Sequence, residues 1–251
     1  MFISISKNPK EAGIKAGKKA ASLIREAIRL RDSATIILAT GASQFETLKV
    51  LSVEPGIKWD KVTMYHLDEY IGLPVSHKAS FRKYLKERFL EKVPELKSIH
   101  LINGEKDAKQ ECERLQALLR KIQVDVALVG IGENGHLAFN DPPADFETEL
   151  PFLIVNLDEK CRQQQVNEGW FASLEEVPPQ AISMSIKQIM LSKHIVCTVP
   201  GTQKARAVKN TLEKPVSNLI PASILRNHAD CNLYLDEESS ALLEDISGSG
   251  S

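Results

Sequence analysis

The chain has 251 residues, enough to bury a sizeable core as one large domain or two small ones. Its 32 Lys+Arg nearly balance its 33 Asp+Glu, so a formal charge of -1 provides no long-range field for nucleic acid or an anionic membrane. No apolar run could span a bilayer, the start Met1-Phe2-Ile3-Ser4-Ile5-Ser6-Lys7 lacks a signal-peptide arrangement, and Cys112, Cys161, Cys197 and Cys231 form no C-x-x-C pair, so a cytoplasmic protein without a zinc or disulfide framework is expected.

Residues 10–30 place Ile14, Ala21, Ile24 and Ile28 on one helical face, opposite lysines and arginines. Residues 34–39 form a short β-branched run that predicts a buried strand. The turn Thr40-Gly41-Ala42-Ser43 follows, then a helix over 44–53. A second strand over 62–67 ends at Asp68-Glu69-Tyr70. Helices are expected over 80–91 and 108–122, and strands over 124–129 and 152–157. A further strand over 195–199 is turned by Pro200-Gly201 into a helix over 203–212, and 232–235 predicts a late strand. Strands apolar on both faces, alternating with helices, imply an α/β fold: an open, mostly parallel, Rossmann-like sheet with helices on both faces. The segments 142–149 and 159–169 interrupt the alternation, as lids above strand ends do. No linker composition appears, so residues 1–246 are read as one domain and 247–251 as a flexible tail.

The stretch Gly130-Ile131-Gly132-Glu133-Asn134-Gly135-His136 leaves the 124–129 strand and matches G-x-G-x-x-G. A dinucleotide loop needs a helix next, yet Pro142-Pro143 follows Leu137-Ala138-Phe139-Asn140-Asp141 and forbids a long one. What remains is a glycine-shaped strand end that delivers an imidazole, with Asn134 and Asp141 close in sequence. Such strand ends are where open α/β sheets build active sites. Thr40-Gly41-Ala42-Ser43 combines hydroxyls with the backbone N–H groups of a helix start, an anion site in which Ser43 doubles as an N-cap. It lacks a P-loop lysine, so a small phosphorylated metabolite fits better than ATP. Asp68 and Glu69 end a buried strand, where one carboxylate could face a shared site as a general base. His66, His136, Asp68 and Asp141 lack a metal-ligand spacing, and no G-x-S-x-G elbow occurs. His77, His100, His194 and His228 have no partner pattern and read as structural or exposed.

Taken together, Leu38-Ala39-Thr40-Gly41, Leu67-Asp68-Glu69-Tyr70-Ile71-Gly72-Leu73, the 130–142 stretch, Pro200-Gly201-Thr202-Gln203-Lys204-Ala205 and Ile220-Pro221-Ala222-Ser223-Ile224-Leu225 resemble the glucosamine-6-phosphate deaminase/isomerase family over most of the chain. The resemblance implies a NagB-type fold and a cofactor-free, metal-free aldose–ketose isomerisation coupled to deamination of a sugar phosphate. His136 would relay the ring-opening proton, oriented by Asp141 with help from Asn134. Asp68 would move a proton from C2 to C1 through a cis-enediol-type intermediate. Thr40, Gly41, Ala42, Ser43 and Lys204 would hold the phosphate, and Glu69, Gly132 and Gly135 would lie at the substrate. The chain departs from the family's usual pattern at Asn134, often Asp, and at Asp141, often Glu. It also departs at Gly169, where an arginine usually precedes the lid's aromatic residue, here Trp170. The acidic run Asp145-Phe146-Glu147-Thr148-Glu149 replaces residues that are often basic. A 6-phosphogluconolactonase-type hydrolase and a non-catalytic sugar-phosphate sensor are the alternative readings, and the assembly state, homo-oligomer included, stays open.

Overall fold

The computed structural model describes residues 1–120 and 122–244; the expected tail over 247–251 lies outside them. The chain opens with β1 (Phe2–Ser6) and α1 (Pro9–Arg31). Asn8 caps α1 by accepting the Glu11 N–H at 3.0 Å, and Pro9 occupies the first turn, where its missing N–H costs nothing. The buried face of α1 is largely small: Ala12, Gly13, Ala16, Gly17, Ala20 and Ala21 precede Ile24 and Ile28, while Ile14 is only half-buried. The small residues let the next helix approach closely. A Cβ on Gly13 would stand 2.4 Å from Glu46 Cβ, and one on Gly17 would stand 2.8 Å from the Thr47 carbonyl.

There follow β2 (Ala34–Leu38), α2 (Phe45–Val53), β3 (Val62–His66), β4 (Asp68–Tyr70), α3 (Phe81–Arg88), β5 (Ser98–His100), α4 (Ala108–Leu119) and β6 (Val126–Val129). The remainder runs β7 (Phe152–Asn156), α5 (Glu159–Asn167), β8 (Gln180–Met184), α6 (Ile186–Met190), β9 (His194–Val199), α7 (Ala205–Glu213), β10 (Cys231–Asp236) and α8 (Glu237–Ser240). Seven strands make one parallel sheet in the order β1-β10-β9-β6-β2-β3-β5. Ile36 and Leu38 pack into the core under α1, α2 and α3, whereas Ile37 packs into the core under α4, α6 and α7. The expected sheet with helices on both faces is therefore the observed one. No described helix is long and apolar enough to cross a membrane.

Two differences from the sequence reading matter for the site. Residues 152–157 do form a strand, but it belongs to a separate antiparallel sheet in the order β4-β8-β7. Its burial explains this: Ile154 and Asn156, on one face, are exposed, while Leu153 and Val155, on the other, are half-buried, so beyond Phe152 the strand has one wet face. The polar 159–169 segment, read as an interruption, contains a regular helix, α5, whose Asp158 cap accepts the Cys161 N–H at 2.6 Å. Tyr70, Phe139, Leu157, Cys161, Phe171 and Ala181 form a small apolar cluster that binds this second layer together.

Candidate active site

Going outward from β3, the sheet reverses its strand order between β2 and β6, and in open α/β sheets the crevice at such a point is where ligands bind. Here the C-terminal exits of β9, β6 and β2 lie side by side. They line a cleft with about 300 Å³ open to water-sized groups. Thr40, Gly41, Ala42 and Ser43 come from the β2 exit, Gly130, Ile131, Gly132 and His136 from β6, and Pro200, Gly201, Gln203 and Lys204 from β9. Asp68 joins them, Phe81, Ala138 and Phe139 add an apolar wall, and Gln164, Gln165 and Glu168 complete the lining from α5 and the residue after it.

The two outer exits are built alike. Gly41 and Gly201 have φ values of 92° and 96°, in the left-handed region where a side chain would be strained. Each starts a three-residue 3₁₀ turn, Ala42–Gln44 or Thr202–Lys204, that runs into a nine-residue helix. The first-turn N–H groups have no acceptor within the helix, and residues of both turns line the cleft, which favours an anion there. The Tyr84 hydroxyl braces one turn by donating to the Gly41 carbonyl at 2.9 Å. Asp236 braces the other by accepting the Gly201 N–H at 3.1 Å. Ser43 is not the expected cap: its hydroxyl accepts from Gln44 Nε2 at 3.1 Å, and neither the turn nor α2 has a side-chain cap. Lys204, 6% exposed, ends the second turn. Among the described residues it forms no ion pair or side-chain hydrogen bond. Burial holds its ammonium below the ordinary lysine value, against the pull of Glu168 and Glu133. A buried cation without a partner is costly until an anion arrives.

Asp68 owes its place to a change of sheet. Leu67 continues β3 by donating to the Leu38 carbonyl, and its own carbonyl accepts the Met184 N–H at 2.7 Å. The chain then pairs with β8, Asp68 opposite Ser183. The carboxyl is 7% exposed, and burial, with the charge of Glu69, pushes its pKa up to about 8. A base poised near neutrality suits removal of a proton from carbon.

His136 faces it from the β6 exit. Its Nδ1 lies 3.1 Å from Asp141 Oδ1. Burial acts to raise the Asp141 carboxyl, but His136, Asn134 and the Asp158 N–H together hold it below the usual carboxylate value. Asn134 spans the pair, donating to Asp141 at 2.9 Å and accepting the backbone N–H of His136 at 3.1 Å. Gly132 packs against the imidazole so closely that a Cβ there would stand 2.2 Å from Nε2. Cys161 Sγ joins His136 and Asp141 within 4.8 Å, but the ring and carboxylate already engage each other, and burial keeps the thiol protonated. The trio thus behaves as a hydrogen-bonded cluster that orients the imidazole, leaving its other nitrogen for chemistry.

Of the residues named from sequence, Thr40, Gly41, Ala42, Ser43, Asp68, Gly132, His136 and Lys204 line one cleft, and Asn134 and Asp141 stand directly behind His136. Glu69 and Gly135 do not line it. Strand alternation turns Glu69 away from Asp68's side, into hydrogen bonds from Ser80, Phe81 and Arg82. Gly135, at φ 86°, makes the tight turn of the loop and packs beside Ile220 and Pro221. Sequence reasoning passed over Gln164, Gln165, Glu168, Phe81 and Phe139 as lining residues, and Ser183 behind them. Only the polar helix 159–167, with a cap at Asp158, carried a usable signal.

A family model described as glucosamine-6-phosphate isomerases/6-phosphogluconolactonase matches residues 7–234. A glucosamine-6-phosphate deaminase of Streptococcus pneumoniae (strain 70585) is 37% identical over 235 residues, covering 93% of this chain and 97% of that protein. The structure of a monomeric glucosamine-6-phosphate deaminase, described as a missing link of the NagB superfamily, superposes with a TM-score of 0.87 at 30% identity, covering 97% of this chain and all of that one. A 6-phosphogluconolactonase from Trypanosoma brucei shares the fold, with a TM-score of 0.80 at 18% identity and coverage of 97% and 98%.

Proposed function

Starting from the finding that the chain belongs to the glucosamine-6-phosphate isomerase/6-phosphogluconolactonase family, we propose that it converts glucosamine 6-phosphate and water into fructose 6-phosphate and ammonia. One observation carries the reading: a buried carboxylate suited to carbon acid chemistry, Asp68, and a buried unpaired ammonium, Lys204, line the same cleft. A phosphate held remotely supplies the binding energy that fixes the sugar above the base.

The steps follow from the groups present. His136, oriented by Asp141 and Asn134, shuttles the proton that opens the pyranose to an aldehyde. The Asp68 carboxylate takes the C2 proton. The C–H electron pair becomes the C1=C2 bond, and O1 gains a proton, giving an enolamine, the nitrogen-bearing counterpart of an enediol. Asp68 returns its proton to C1, leaving a ketimine at C2, which water hydrolyses to the ketose and ammonia. The phosphate rests on the N–H groups of the Gly41 and Gly201 turns and on Lys204. The acidic lid, with Glu168 over the cleft and no arginine before Trp170, leaves Lys204 as the lone described cation lining the cleft. We read residues 1–246 as one domain, acting in the cytoplasm on a small sugar phosphate.

Ammonia release from glucosamine 6-phosphate by the wild type, lost in Asp68→Asn, is the expected result. No release by the wild type, or full activity in the variant, would overturn the proposal. Hydrolysis of 6-phosphogluconolactone without ammonia chemistry would assign the chain to the lactonase branch instead.

A further inference from the structure

Asp68 has an acidic neighbour that the mechanism leaves unused. Glu69 is fully buried, and its two oxygens accept five hydrogen bonds: from the N–H groups of Tyr70 (3.0 Å), Phe81 (3.2 Å) and Arg82 (2.9 Å), from Ser80 Oγ (2.9 Å) and from Arg82 Nε (3.2 Å). Four of these come from Ser80, Phe81 and Arg82 at the start of α3, where Ser80 is the N-cap. The carboxylate therefore occupies an anion-binding helix terminus within the protein itself. Burial pushes the Glu69 carboxyl up. Four of the five partners are N–H groups that can only donate, however, so the site is built around the ionised form.

Arg82 is spread over the same junction. Beyond Glu69 it donates to Asn103 Oδ1 (2.9 Å), the Leu73 carbonyl (3.0 Å) and Glu105 Oε2 (2.8 Å). The loop that carries Asn103 packs hard on β4: a Cβ on Gly104 would stand 2.0 Å from the Tyr70 carbonyl. One guanidinium thus ties together β4, the start of α3 and the 103–105 loop.

We infer that Glu69 and Arg82 are positioning residues that act through Asp68: the pair fixes the three-residue strand bearing the Asp68 carboxylate and sets how strongly that carboxylate holds a proton. The other groups around Asp68 leave this role to them. His66, at the end of β3, is neutral, because burial and the Arg82 charge pull its pKa to about 3. The Tyr70 phenol and the Cys161 thiol of α5 are held protonated by burial. Behind Asp68 the charges are Glu69 and Arg82, and the ionisable groups on the cleft side are His136, Lys204 and Glu168. Glu69 opposes ionisation of Asp68, and Arg82 limits that opposition. Burial is the larger cause that lifts the base above an ordinary aspartate value, and the Glu69 charge adds to it.

The inference rests on Asp68 being the base of the proposed reaction, and its test separates the two. Glu69→Gln keeps the shape and removes the charge. The acid limb of kcat/KM for ammonia release is expected to move down by about 1 pH unit. Arg82→Met is expected to move it up by a similar amount, and Arg82→Lys, which keeps the charge but not the fork, less far. A purely structural pair would lower kcat in all three variants and leave the limb in place, which would overturn the inference. Carboxyl ¹³C titration of Asp68, its signal assigned by loss in Asp68→Asn, reads the same shift without turnover. An unchanged Asp68 titration in Glu69→Gln refutes the inference. An active Asp68→Asn refutes the base assignment alone.

Discussion

Ser183 stands opposite Asp68 in the antiparallel pairing of β4 with β8, and its buried hydroxyl accepts the Phe139 N–H at 3.0 Å. It also receives Asn140 Nδ2 at 3.3 Å, while that amide donates to the Leu137 and Met184 carbonyls at 2.8 Å each. One residue of β8 thus sets the distance between the strand of the base and the loop of His136. Removing the hydroxyl leaves the Phe139 N–H unsatisfied, at a cost of roughly 1–2 kcal/mol. Ser183→Ala is expected to lower the melting temperature accordingly and kcat by about tenfold, with KM little changed, because alignment and not phosphate binding is lost. Steady-state kinetics and a melting curve test both.

The pH dependence follows from Asp68. As the base it must be ionised, so kcat/KM for the free enzyme is expected to rise with pH through about 8. Stability runs the other way. The folded-state pKa is raised above the unfolded one, so the folded protein binds more protons than the unfolded chain between about pH 4 and 8, and stability falls as pH rises across that window. Asp68→Asn removes the penalty. Its stability advantage over the wild type should be absent near pH 4 and reach the order of a few kcal/mol above pH 8, by chemical denaturation.

Gly132→Ala places a methyl group where His136 Nε2 now lies, 2.2 Å from the new carbon. The ring must move and its bond to Asp141 must break or lengthen. A displacement of this size is expected to cost about 100-fold in kcat, while the fold, built on strands away from the loop, melts within a few degrees of the wild type. Full activity would show that the ring orientation seen here does not matter.

Lys204→Met removes a buried, unpaired charge. The folded-state pKa of Lys204 is lowered, so its burial penalty is present at neutral pH, and the variant should melt at or above the wild-type temperature at pH 7. The stabilisation that inorganic phosphate confers on the wild type should disappear, and KM should rise at least tenfold. Retention of the phosphate-induced shift would remove Lys204 from the phosphate site.

Asn134→Asp replaces a donor between Asp141 and Asp158 with a third acceptor. The variant is expected to lose roughly 2 kcal/mol at pH 8. The added carboxyl has a raised folded-state pKa, so the loss should shrink as the pH falls toward about 4. Denaturation at the two pH values reads the difference.

The central strands, the helices over them and the glycine-shaped exits were legible because each is a local signal: β-branched runs, helical spacing and a Gly-x-Gly turn. The missed strands are local failures of the same kind. Phe2–Ser6 and Ser98–His100 are edge strands with partly exposed faces, and Gln180–Met184 is a short mixed run after Pro178-Pro179. Asp68 and His136 could each be named from the strand they follow, since strand ends at a reversal of strand order are where sites form. What sequence alone determined was therefore the inventory: a parallel sheet, its glycine turns and the titratable groups delivered at its edge. The tertiary structure alone decided which groups meet. It turned Glu69 inward onto Arg82 and sent Gly135 to the back of the loop. It also laid α5 over the cleft and left Lys204 without an ion-pair partner among the described residues. Pairing between β4 and β8 joins segments more than 100 residues apart, and no local pattern encodes it or the burial that strips water from Asp68, Glu69 and Lys204.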